Sequence, residues 1–203
     1  MAIPSYISSL VPEPLRVMGV DLRPLSLGHY ILMLRFGCRY AGDEEIDVGL
    51  EEMGDLLLGL MICKRTYEEF LEWIYSEKWA TDMAEYGKSV DKWIKQNPDK
   101  FDLLSVISLF QGYLKNGSKT PLVEPIQTTR ISSGTKSGAH WSQVILTVLT
   151  GQLGYSKTEA LNMPLSQAFY DYYKYCENNN MCKIIGDDEL KEIEKATGIK
   201  CQT

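Results

Sequence analysis

Histidine is nearly missing from this sequence: two, His29 and His140, occur among 203 residues. Neither has another histidine, a cysteine or a carboxylate at metal-ligand spacing, so zinc and other metal centres have no support. The five cysteines (Cys38, Cys63, Cys176, Cys182 and Cys201) are odd in number, scattered, and never form a Cys-x-x-Cys pair. They read as reduced thiols, with Cys63 and Cys176 on apolar helix faces. Long apolar runs are missing too. The densest, Leu56 to Cys63, contains Gly59 and is far shorter than the roughly 18 residues that span a bilayer. The first residues lack an early basic region and a continuous apolar segment, so no secretory signal is expected and a cytoplasmic location follows.

Catalytic signatures are equally sparse. There is no Gly-x-Ser-x-Gly elbow, no glutamate-flanked histidine pair and no dinucleotide fingerprint. The nearest approach to a phosphate-binding loop is Gly134-Thr135-Lys136-Ser137-Gly138, but Thr135 and Arg130 stand where that loop requires glycines. It reads as a solvated loop. His140 lies at the start of a helix beside Trp141, where it caps the helix or contacts a ligand, and no second catalytic group pairs with it. A non-enzymatic protein without cofactor is expected. The net charge of -6 gives no general attraction to nucleic acid or anionic lipid.

What is present is ordinary globular composition, 44% hydrophobic and 24% charged, enough for one domain with a sizeable core or for a larger domain and a smaller one. Pro4, Pro12 and Pro14 mark an extended arm, with one helical turn expected around Leu15 to Met18. Ser26 is placed to cap a helix reaching Phe36, whose stripe is Leu27, Tyr30, Ile31 and Leu34. Asp43, Glu44, Glu45 and Asp47 precede the apolar pattern Leu50, Met53, Leu57, Leu60 and Met61. They suit the positive end of a helix dipole better than a divalent-metal site.

Thr66-Tyr67-Glu68-Glu69 and Ser156-Lys157-Thr158-Glu159 are capping boxes, each pairing a hydroxyl cap with a glutamate three residues on. After the first, no proline interrupts the chain until Asn97-Pro98, and Trp79, Met83, Tyr86, Val90 and Trp93 recur at the interval of a helix packed lengthwise on its own domain. Phe101, Leu104, Ile107 and Gln111, flanked by Leu103, Val106, Phe110 and Leu114, predict a largely buried helix. From Asn116 to Ala139 the composition shifts to Ser, Thr, Gly and Pro, which predicts a linker or long loop, with Leu122, Val123 and Ile126 free to form a short strand. Asn178 to Asn180 marks a turn, and a charged helix follows from Asp187 towards Gly198. The expected fold is all-α: an irregular multi-helix bundle over residues 1–115, a long central loop at 116–139, and a small C-terminal helical subdomain at 140–203.

The stretch from His140 to Asn180 is the most informative. Trp141, Val144, Ile145, Val148 and Leu149 form one apolar helix face, Gly154 ends that helix, and after Asn162-Met163-Pro164 the residues Leu165, Ala168, Phe169, Tyr172 and Cys176 resume the helical spacing. Tyr170, Tyr172, Tyr173 and Tyr175 cover more than one turn and cannot all face inward. Tyrosine is large, stiff and amphipathic, so Trp141, Phe169, Tyr170, Tyr172 and Tyr173 are the candidate partner-binding residues.

The run GAHWSQVILTVLTGQLGYSKTEALNMPLSQAFYDYY resembles the C-terminal part of phage tail assembly chaperones. The shared elements are Leu153 to Ser156, Glu159, Met163 to Leu165, and Phe169 with Tyr172, and Ser26 to Gly37 is similar to segments of such proteins as well. The resemblance implies a non-enzymatic helical protein, made in the host cytoplasm, that binds apolar segments of the tail tape-measure protein and keeps it soluble during tail assembly. The alternative is a structural head-tail connector or completion protein of the particle, and self-association into a homo-oligomer stays open with either.

Overall fold

In the computed structural model the chain is described over residues 15–41, 50–96, 98, 102–126 and 139–197. The proline-rich arm before Leu15, the acidic quartet at 43–47, the 134–138 loop and Cys201 lie outside the described residues. The fold is all-α. Nine α-helices occur among the described residues: α1 (Leu27–Arg35), α2 (Leu50–Cys63), α3 (Tyr67–Ile74), α4 (Trp79–Gln96), α5 (Leu103–Gly117), α6 (Trp141–Gly151), α7 (Lys157–Asn162), α8 (Leu165–Asn178) and α9 (Asp187–Thr197). Two antiparallel pairs of three-residue strands accompany them: the hairpin β1 (Leu15–Val17) with β2 (Val20–Leu22), and β3 (Val123–Pro125) with the sequence-distant β4 (Cys182–Ile184).

The first hairpin replaces the helical turn expected at Leu15 to Met18. Its connection is Met18-Gly19, both at positive φ, 49° and 78°. Two successive left-handed residues twist a tight turn to match the strands, and a methionine there gives no warning in the sequence. Val17, Val20 and Leu22 are buried. The second strand pair draws Val123 out of the compositional loop and matches it with Ile184, and α5 continues to Gly117, beyond the point where that loop begins.

α1 lies at the centre, packed against α2, α3 and α7. Three of the nine helices open with a reciprocal capping box. Thr66 with Glu69 and Ser156 with Glu159 are as the spacing predicts. In the third, Ser26 is paired with a histidine: its hydroxyl accepts the His29 amide, while His29 Nδ1 accepts the Ser26 amide at 3.2 Å. Because Nδ1 is an acceptor, Nε2 carries the proton and donates to the Arg65 carbonyl at 2.6 Å. Burial, reinforced by Arg23, pushes the His29 imidazole down to about 4, against the smaller opposing effect of that carbonyl.

Ser26 also anchors a joint between distant parts of the chain. The Leu27 amide donates to the Met163 carbonyl at 3.2 Å, and the Leu165 amide donates to the Leu25 carbonyl at 2.8 Å. Ser26 and Pro164, facing each other across this bridge, are the N-caps of α1 and α8. Asn162 closes the joint, accepting the Tyr67 amide at 3.1 Å and donating to Glu68 Oε2 at 2.7 Å. The fit tolerates no side chain at Gly28, where a Cβ would stand 2.7 Å from the Leu161 carbonyl oxygen. One apolar cluster accordingly contains Leu27, Leu56, Phe70 and Phe110 together with Ile145, Leu149 and Leu165.

The proline-free run after Thr66 divides at Tyr75, where the Ser76 hydroxyl takes the Trp73 carbonyl at 2.7 Å. The Trp73 indole then donates to Asp82 of α4 at 2.9 Å, and Arg65 lies over the Trp73 ring at 4.2 Å. On α4, Val90 is buried and Trp93 lies against Gly19 of the first hairpin, whereas Trp79 is 44% exposed. The 4-3-4-3 stripe thus serves packing within the fold. α5 departs from the largely buried helix of the sequence reading: Val106, Ile107 and Phe110 are buried, but Leu104 and Leu109 are 54% and 45% exposed. Only one face of α5 meets the core, and Phe101 lies outside the described residues.

Candidate partner-binding groove

α6 and α8 pack on one another, and each turns an i, i+3, i+4 triplet towards the space beside their contact. α6 contributes Trp141, Val144 and Ile145, and α8 contributes Phe169, Tyr172 and Tyr173. With Ala139 they line a groove of about 410 Å³. Four of the five candidate residues, Trp141, Phe169, Tyr172 and Tyr173, meet there. Tyr170 is on α8 but does not line the groove.

The aromatic walls are ordered by contact. Trp141 stacks on Phe169 with ring centroids 5.1 Å apart, and it also meets Tyr30 of α1 at 4.6 Å. Tyr30 is itself fixed, its hydroxyl donating to the Ala41 carbonyl at 2.9 Å. Tyr172 and Tyr173 meet edge to face at 5.2 Å. Burial, then a hydrogen bond with Cys176, pushes the Tyr172 phenol up to about 12, and burial raises Tyr173 as well. Both phenols stay neutral around neutral pH. Cys38, Cys63, Cys176 and Cys182 are free thiols, all buried.

The turn between α6 and α7 fixes the angle of the groove. Gly154 takes φ 77°, the Tyr155 amide returns to the Leu149 carbonyl at 3.1 Å, and the Tyr155 hydroxyl donates to Asp171 of α8 at 3.0 Å. At the other end of α6, His140 is the N-cap, its Nδ1 accepting the Ser142 amide at 3.3 Å. Of its two sequence readings, the cap is the one the geometry displays.

The α6 helix, WSQVILTVLTG, carries no charged residue over its 11 positions, although Gln143 and Thr147 are exposed. This surface therefore costs little to desolvate against an apolar partner. A larger depression, about 630 Å³, lies beside β3 and β4 and is lined by Glu124, Glu177, Asn180 and Lys183 among others. There Glu177 already accepts the Ile184 amide and Lys174, while Lys183 pairs with Glu189. Glu177 and Lys183 are there spent on holding the fold, which makes the aromatic groove the better candidate site. Sequence reading missed Tyr30 as a support of Trp141, since nothing local to α1 indicates which distant ring it meets.

Comparison with protein-family models, with curated proteins and with solved structures finds no match to this chain.

Proposed function

We propose that the chain is a non-enzymatic binding protein of the tail assembly chaperone type, holding an apolar helical segment of a tape-measure-like partner in the groove between α6 and α8. The observation that carries the reading is the groove itself: four partly exposed aromatic rings and Val144, floored by the buried Ile145, beside a helix with no charge. Helix-in-groove recognition needs such a surface, with large rigid side chains that anchor one turn of a partner and no ionic group to strip of water. The sequence resemblance over Gly138 to Tyr173 supplies the partner class, and the groove supplies the contact.

Co-expression with a candidate tape-measure protein tests the proposal. Its soluble yield should rise with the wild-type chain and fall with Tyr173→Glu, which places a charge in the groove at a cost of about 2 kcal/mol in binding. No gain in solubility with the wild type, together with stoichiometric recovery of the chain from finished particles by mass spectrometry, would replace the chaperone reading with the connector.

A further inference from the structure

The cap at the head of α6 is a histidine used as an acceptor. An amide N–H only donates, so the bond from the Ser142 amide to His140 Nδ1 requires that nitrogen to be without a proton. The Ser142 hydroxyl lies 2.8 Å from the same Nδ1 and is then a second donor to it. From α1 the ring faces Tyr30, centroids 6.3 Å apart, and from α6 it faces Trp141 at 5.2 Å. Among the described residues no acidic or basic side chain is bonded to it. The cap is exposed, unlike His29, so protons reach it directly.

We infer that His140 is an acid-release catch on the groove. Protonation of Nδ1 deletes the acceptor that both Ser142 donors share. It also sets a positive charge at a helix N-terminus, where the aligned peptide dipoles are already positive. The first turn of α6 then loses its cap, and that turn carries Trp141, the ring in contact with Tyr30 and Phe169. The effect on partner capture rests on the groove reading above, whereas the loosening of α6 does not.

Nuclear magnetic resonance of the 15N-labelled protein separates these. Between pH 8 and pH 5, with far-ultraviolet circular dichroism unchanged, the Ser142 amide and the Trp141 indole should shift along one shared curve. His140→Asp keeps a capping acceptor that does not titrate in this range, and should flatten the curve for both. His140→Ala should remove the pH dependence of both resonances. Static wild-type resonances, or a curve that persists unchanged in His140→Asp, would overturn the inference. If the curve appears as described but the tape-measure partner is not solubilised, the groove reading fails alone.

Discussion

The two ends of α8 live in different environments. Its start is welded into the joint with Leu25 to Leu27, where two backbone hydrogen bonds, the Asn162 clamp and the close approach at Gly28 leave no room for change. One and two turns later the same helix lines an open groove with Phe169, Tyr172 and Tyr173. A continuous sequence pattern, Met163-Pro164-Leu165 followed by aromatic residues, therefore joins scaffold to surface. Met163 and Leu165 are spent on packing, so only the aromatic part of the pattern is available to a partner.

Substitutions should separate the two ends by size of effect. Leu165 is fully buried in the joint, and Leu165→Ala should destabilise the fold by about 2–5 kcal/mol in urea unfolding. A loss no larger than that of an exposed leucine such as Leu104→Ala would mean that the joint is not the structural centre.

Acid should act on the same region through His29. Its imidazole takes a proton near 6.5 when unfolded and only at about 4 in the fold, so the unfolded chain binds the proton first. The stability it contributes is complete above pH 6.5 and should fall by roughly 3 kcal/mol as the pH drops to 4. Urea midpoints that stay level across that interval would contradict the burial of this ring.

Gly28→Ala should cost about 1–3 kcal/mol, because the group it would strike is a backbone carbonyl that cannot rotate away. In the groove, Tyr173→Glu should leave the unfolding midpoint within about 1 kcal/mol of wild type while it abolishes the gain in partner solubility. Equal losses of stability at both sites would erase the distinction between the two ends of α8. The smallest effect has the opposite sign. A Cβ at Gly87, within α4, meets nothing within 4 Å, so Gly87→Ala should stabilise by about 0.5–1 kcal/mol, and thermal unfolding is the direct check.

Much of the helical framework was legible because its signals are local. Ser26, Thr66 and Ser156 cap where their spacing says, α6 ends at Gly151 just ahead of the turn that holds Gly154, and the breaks at Pro98 and Pro164 fall between helices. The partnership of Ser26 with a histidine was not legible, since glutamate or glutamine normally completes such a box. Neither was the Met18-Gly19 hairpin, in which Gly19 suits its positive φ but Met18 gives no such signal, and the burial of Val17, Val20 and Leu22 accompanies the turn. The groove was half legible. Spacing placed Trp141, Phe169, Tyr172 and Tyr173 on helix faces, but their convergence depends on the Tyr155–Asp171 bond and on Tyr30, both matters of tertiary contact.

The β3–β4 strand pair bears on how this chain behaves when crowded with copies of itself. The Leu122 carbonyl and the Ile126 amide point to the partner strand, so by alternation the backbone groups of Val123 and Pro125 turn to the unpaired edge. Proline has no amide hydrogen to give there, and the strand ends after three residues. An incoming strand would find a single donor, at Val123, and no ladder to extend. The β3 edge of a strand pair that shows apolar Leu122, Ile126 and Met181 to water is in this way denied a role as a template for edge-to-edge aggregation.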